Sequence, residues 1–219
     1  MNLFSFIPFF GSKPIPRQVL SESWDQREGI LQDDVNLFCW KRPIDPEVDK
    51  FLDLLVAGPA LKIQQNVSLE SIDDDMLAFE KGLENYVGHS AAFVEDVKML
   101  AGDFLNYSPE GQGTLHLRLV ENNACTKFHL DGYNLRLFTT YRGRGTEWLP
   151  EKAVNRNGLG RSNHDIVKDP ESVRNMVSFE VAILKGEIPN KINKTKGIVH
   201  RSPAIAGTGE KRVILRIDI

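Results

Sequence analysis

Apolar residues in the first half of the chain recur at steps of three and four. In 46–57 they fall at Val48, Phe51, Leu52, Leu55 and Val56, one stripe of a helix. Asp45 stands where an N-cap belongs and Pro46 suits the first helical position, so a helix is predicted over 46–57. Ile72, Met76, Phe79, Leu83 and Tyr86 predict a second helix from Ser71 to Gly88; Phe93, Val97, Leu100 and Phe104 predict a third from Ser90 to Ser108-Pro109. The segment 61–69 (LKIQQNVSL) is ambiguous between helix and strand. Beyond Gly113 the period becomes two: Leu115, Leu117 and Leu119 alternate with His116 and Arg118, predicting a strand over 114–120. LRLFTTY at 135–141, VSFEVAIL at 177–184 and RVILRIDI at 212–219 read as further strands.

Short strands at irregular spacing without intervening helices predict an antiparallel sandwich or barrel. The expected plan is an α+β protein with a mainly helical half, 1–110, packed against a β-sandwich, 111–219. No repeat or low-complexity linker divides the chain, so 1–219 is expected to form one integrated domain.

Composition narrows the function. The 219 residues carry a net charge of −3, which excludes a polycation built for phosphate backbones, so no nucleic-acid partner is expected. The charge is unevenly spread: residues 1–110 sum to −10 and residues 111–219 to +7. A positive second half suits an anionic ligand, and it equally suits two faces of one domain that attract each other. Two cysteines, Cys39 and Cys125, make neither a disulfide framework nor a C-x-x-C pair. No apolar run approaches the roughly 20 residues that cross a bilayer. The opening MNLFSFIPFFGSKPIP lacks a basic start and is broken by Pro8, Gly11, Pro14 and Pro16, so it reads as a packing arm rather than a signal peptide. A cytoplasmic protein is expected.

The chemistry concentrates at 125–150. His129 and Asp131, at i and i+2 of an extended segment, project from one face about 7 Å apart at Cα, given a rise of ~3.3 Å per residue. A returning strand could bring His200 beside them. Two neutral imidazoles and one carboxylate on one side of an ion leave three positions open, the facial triad of non-haem Fe(II) oxygenases. Arg212, opening the strand after His200, could grip a dicarboxylate through its two-pronged guanidinium. Cys125 falls on the same strand face as His129 and Asp131; it is a small buried hydrophobe, an extra ligand that would close a zinc site, or a reactive thiol. Arg136, Tyr141 and Trp148 are candidate pocket residues, with the core as the other reading for the two aromatics. His116, on the polar face of its strand, reads as exposed or hydrogen-bonded.

The H-x-D pair, the turn Gly143, Gly145, Thr146 and Trp148, and a distal His followed by Arg resemble the 2-oxoglutarate/Fe(II)-dependent oxygenases, with a distal half similar to the prolyl-hydroxylase branch. That resemblance implies a double-stranded β-helix (jelly-roll, cupin-like) over about 111–219. It also implies Fe(II) and 2-oxoglutarate as cofactors, His129, Asp131 and His200 as metal ligands, and Arg212 on the distal carboxylate with Arg216 as its competitor. The blocks FH-x-D (Phe128–Asp131), YRG-x-GTEWL (Tyr141–Leu149) and HRSP (His200–Pro203) are also similar to an uncharacterised bacterial family, a likeness that implies a link to metal homeostasis. Three classes are carried forward: an oxygenase acting on an unidentified small molecule or protein, a Zn(II) or other metal-binding module without redox turnover, and a metal-free binding sandwich.

Overall fold

The helix predicted at 46–57 is the first α-helix of the computed structural model, which describes residues 15–86, 90–188 and 196–219. It spans Pro46–Ala57 (α1); the Asp45 carboxylate accepts from the amides of Glu47 and Val48, and Val48, Phe51, Leu52 and Leu55 are buried. Ile72–Lys81 (α2) and Ser90–Leu105 (α3) follow. The second helix is shorter than predicted because the chain turns at Gly82, where Leu83 bonds back to Glu80 and Tyr86 to Leu83. Gly88 and the opening arm through Pro14 lie outside the described residues.

The first half is not mainly helical, which corrects the sequence reading. It supplies three strands, Arg17–Ser21 (β1), Val35–Trp40 (β2) and Lys62–Ser68 (β3). The sequence of β2, VNLFCW, is buried along nearly its whole length, so no alternation betrays it. The ambiguous 61–69 segment is β3.

The remaining strands are Gln112–Val120 (β4), Leu135–Arg142 (β5), Glu147–Leu149 (β6), Arg174–Asn175 (β7), Val181–Lys185 (β8), Val199–Arg201 (β9) and Arg212–Asp218 (β10). A seven-stranded sheet runs β1-β2-β8-β5-β10-β4-β3, antiparallel except for β1–β2, and a smaller sheet runs β7-β6-β9. The smaller sheet is extended by a bridge between His129 and His200. From β4 onward the chain therefore passes back and forth between two facing sheets, the strand order of a double-stranded β-helix. The strand predicted at 177–184 begins only at Val181, because 177–180 is a turn in which Phe179 takes φ 73°.

The large sheet has two buried faces. Leu115, Leu117, Leu137, Val213, Leu215 and Ile217 pack with Phe51, Phe79, Phe93 and Phe104 of the helices. The intervening residues face the smaller sheet, and beside Phe138 and Ile214 they include a polar group: Arg216 stands opposite His116, and Asp218 opposite Arg136. Polar alternation here marks an interior, not solvent. Among the described residues, no helix is long and apolar enough to cross a membrane.

Candidate metal centre

Two short extended segments carry the cluster. Around His129, the Phe128 side chain points the other way into a cluster with Leu149, Val154, Ile166 and Val199, and its amide donates to Asn163 Oδ1 at 2.7 Å. His200 is held by reciprocal backbone bonds with His129, 3.0 and 3.1 Å, which set the two imidazole rings 4.6 Å apart. One ligand atom from each of His129, Asp131 and His200 lies within 4.8 Å of the other two. The structure thus brings together all three residues that the sequence proposed.

The protons can be placed from the partners. Nδ1 of His129 lies 2.8 Å from the Lys127 carbonyl oxygen, and Nδ1 of His200 lies 3.2 Å from that of Ile198. A carbonyl only accepts, so each Nδ1 carries a proton and donates, which leaves Nε2 as the atom a neutral ring offers to a metal. Burial, the largest influence, pushes the His200 pKa down to about 4 despite Asp131, keeping that ring neutral. Nε2 of His200 then faces Asp131 Oδ2 at 3.4 Å, and Nε2 of His129 faces Oδ1 at 3.8 Å. Oδ2 is buried and has no hydrogen-bond partner. Two acceptors, His200 Nε2 and Asp131 Oδ2, thus face each other beside the His129 ring with no proton between them, an arrangement that is costly unless a cation lies there. The pattern of imidazoles fixed from behind by carbonyls is that of metal-ligating histidines. These residues fit a divalent metal.

Cys125 is not part of the group. Its Sγ lies 3.5 Å from Nδ1 of His129, the nitrogen turned away from the other two residues. Arg136 is buried and pairs with Asp131 Oδ1 at 2.6 Å, which commits it to the cluster rather than to an open pocket.

The two arginines of β10 part company. Arg212 is fully buried and donates through Nε to the Arg144 carbonyl at 2.6 Å and through Nη2 to Thr140 Oγ1 at 3.3 Å. Burial pulls its pKa down to about 10. It clasps the turn after β5. Arg216 instead lines a cavity of about 110 Å³ with Arg118, His116, Phe138, Ile214 and Ser202. Ser202 follows His200 by two residues, and the Arg216 guanidinium meets His116 Nε2 at 3.3 Å through Nη2 and Asp218 Oδ2 at 3.2 Å through Nε, the latter an ion pair without hydrogen-bond geometry.

Tyr141 lies on the helix side, not in a pocket. Relative to β10, β5 carries an extra residue there, since Val213 faces Arg142 while Ile214 faces Thr140. Both Tyr141 and Arg142 consequently reach the helices: the Tyr141 hydroxyl donates to Asp96 at 2.5 Å, and Arg142 bonds Asp53 Oδ1 at 2.6 Å. Trp148 is the direct cross-strand partner of His200 and packs with Leu37, Met176, Ala182 and Leu184.

Sequence reasoning missed Asp218 and left His116 as exposed or hydrogen-bonded; it is hydrogen-bonded, with Nε2 3.3 Å from Arg216 Nη2. His116 is 6% exposed; burial, and then the Arg216 guanidinium, push its pKa down to about 4. The signal that could have found both is the polar half of the alternating strands, once that face is recognised as interior.

Gly186 fixes the position of the Asp131 backbone. A Cβ there would stand 2.2 Å from the Tyr133 carbonyl oxygen and 2.6 Å from that of Asp131, which accepts from Glu187 N at 2.9 Å. Gly186→Ala is expected to cost about 1–3 kcal/mol of stability, the usual penalty for overpacking. Urea unfolding checks it; an unchanged midpoint contradicts this close approach.

The fold is shared with dioxygenase for auxin oxidation 1 from Arabidopsis thaliana, solved as a complex with 2-oxoglutarate, at 10% identity and a TM-score of 0.54, covering 93% of this chain and 91% of that one. Weaker likenesses are to the dioxygenase for auxin oxidation in rice (12% identity, TM-score 0.48, 93% and 82% covered) and a Pseudomonas putida prolyl-4-hydroxylase (11%, 0.37, 84% and 91%). No curated protein matches the sequence. A family profile described as "Protein of unknown function (DUF1826)" matches residues 22–218, and the chain belongs to that family.

Proposed function

We propose that this protein is an Fe(II)/2-oxoglutarate-dependent oxygenase that works as one unit over 1–219, with 111–219 as its metal-binding core. The observation that carries the reading is the buried Asp131 Oδ2, without a hydrogen-bond partner and faced by the lone pair of His200 Nε2. Two imidazoles and one carboxylate suit Fe(II) and leave positions free for other groups. The closed zinc site considered from the sequence needs a fourth protein ligand, and Cys125 is not turned toward the group.

Bound there, Fe(II) and 2-oxoglutarate supply dioxygen-dependent oxidation of a C–H bond. The chain does the rest. His129, Asp131 and His200 hold the ion, with the two Nδ1–H bonds fixing the rings. Arg216, with Arg118 and the Ser202 hydroxyl on the same cavity wall, takes the distal carboxylate, while Arg212 keeps the β5 turn in place. Phe138 and the apolar group of Leu37, Trp148, Ala182 and Leu184 exclude water from the barrel interior.

Much of the positive charge of the second half is already answered inside the fold: Arg136 by Asp131 and Asp218, Arg156 by Glu151 and Glu187, Arg201 by Glu147. That charge alone therefore does not call for an anionic substrate.

Anaerobic titration tests the reading. One equivalent of Fe(II) followed by 2-oxoglutarate is expected to give a visible charge-transfer band, absent in His129→Ala and His200→Ala. Iron uptake without a band removes the cosubstrate from the reading, and no iron uptake removes the oxygenase.

A further inference from the structure

Arg136 stands between the proposed metal ligands and the polar interior of the large sheet. Its Nη1 lies 2.6 Å from Asp131 Oδ1 and its Nε lies 2.5 Å from Asp218 Oδ1, and the guanidinium sits over the Tyr133 ring, 4.8 Å from the centroid. All three charged side chains are almost fully buried. Asp218 in turn faces Arg216 Nε at 3.2 Å through its other oxygen.

We propose that Arg136, clamped by Asp218 and the Tyr133 ring, is a positioning residue that ties down Asp131 Oδ1 and presents Oδ2 alone to the metal. The inference rests on the metal centre argued above. A planar guanidinium held by Asp218 and stacked on Tyr133 has little freedom to follow a rotating carboxylate, so it fixes the plane of Asp131. With Oδ1 engaged, the carboxylate binds through one oxygen and occupies one coordination position. Freed from Arg136, Asp131 could turn, or offer both oxygens and fill a position the chemistry needs open.

Two effects oppose each other when Arg136 is removed. Losing a nearby cation favours a divalent ion, and losing the fixed carboxylate disfavours it. Buried partners behind metal ligands typically cost about 10–100-fold in affinity when removed, so ordering is expected to win.

The test is Co(II) binding, followed by isotherm and by ligand-field absorption, on wild type, Arg136→Gln, Arg136→Lys and Asp218→Asn. Arg136→Gln is expected to bind Co(II) about 10–100-fold more weakly and with a changed spectrum. Arg136→Lys is expected to recover part of the affinity, since it keeps the charge but not the fork. Asp218→Asn, which leaves Arg136 on Asp131 but unclamped, is expected to alter the spectrum with a smaller affinity loss. It decides the matter if Arg136→Gln does not fold. Wild type that binds no Co(II) overturns the metal centre itself. Wild-type binding with equal or tighter binding and an unchanged spectrum in Arg136→Gln, or in Asp218→Asn where that variant decides, overturns the role of Arg136 alone.

Discussion

Asp131→Asn is expected to leave the metal-free protein within about 1 kcal/mol of wild type while lowering metal affinity by at least about 100-fold, beyond the loss seen when only a partner behind a ligand is removed. Removing one member of a buried ion pair ordinarily costs about 3–5 kcal/mol, because a charge is left uncompensated. Here Arg136 keeps Asp218, and the variant removes a carboxylate oxygen that has no hydrogen-bond partner in the metal-free fold. The two changes offset each other. Metal separates the proteins: at about 100 times its Kd, a ligand stabilises wild type by about 2.7 kcal/mol and the variant by almost nothing. Thermal unfolding with chelator and with added Fe(II) under anaerobic conditions reads both. A variant 3–5 kcal/mol weaker in chelator, together with wild type indifferent to metal, would mean that the cluster is a structural ion pair.

Asp96→Ala is expected to cost about 3–5 kcal/mol without touching metal affinity. Asp96 receives both Nη groups of Arg42 and the Tyr141 hydroxyl. Arg42 has a side chain 7% exposed, donates Nε to the Phe179 carbonyl, and lies over the rings of Trp40, Tyr141 and Phe179. Without Asp96 a guanidinium is buried with no counter-charge. Tyr141→Phe removes one hydrogen bond from the same knot and is expected to cost about 1 kcal/mol. Denaturant unfolding measures both; a loss under 1 kcal/mol for Asp96→Ala would show that the knot is not what joins the sheet to α3.

Much of this was legible in the chain, for local reasons. Asp45-Pro46 and the stripe that follows encode α1 in twelve consecutive residues, and H-x-D needs only one extended segment to project both side chains the same way. What stayed hidden depends on non-local burial. β2 is covered on both faces and so carries no period, while β6, β7 and β9 have only two or three residues each. Arg212 and Arg216 share a strand face in the sequence. Only the turn at Arg144 and the cavity beside Ser202 show that the first is a clasp and the second borders a space where a ligand fits. The YRG block reads as chemistry because it sits beside H-x-D, yet the extra residue in β5 turns Tyr141 and Arg142 toward the helices.

Diffraction from crystals grown with Mn(II), collected to show anomalous scattering, tests the central claim most directly. The expected result is a single strong peak within coordination distance of His129 Nε2, His200 Nε2 and Asp131 Oδ2, with Asp131 Oδ1 still on Arg136. An empty cluster, or a peak held by Cys125 on the far side of His129, would contradict it.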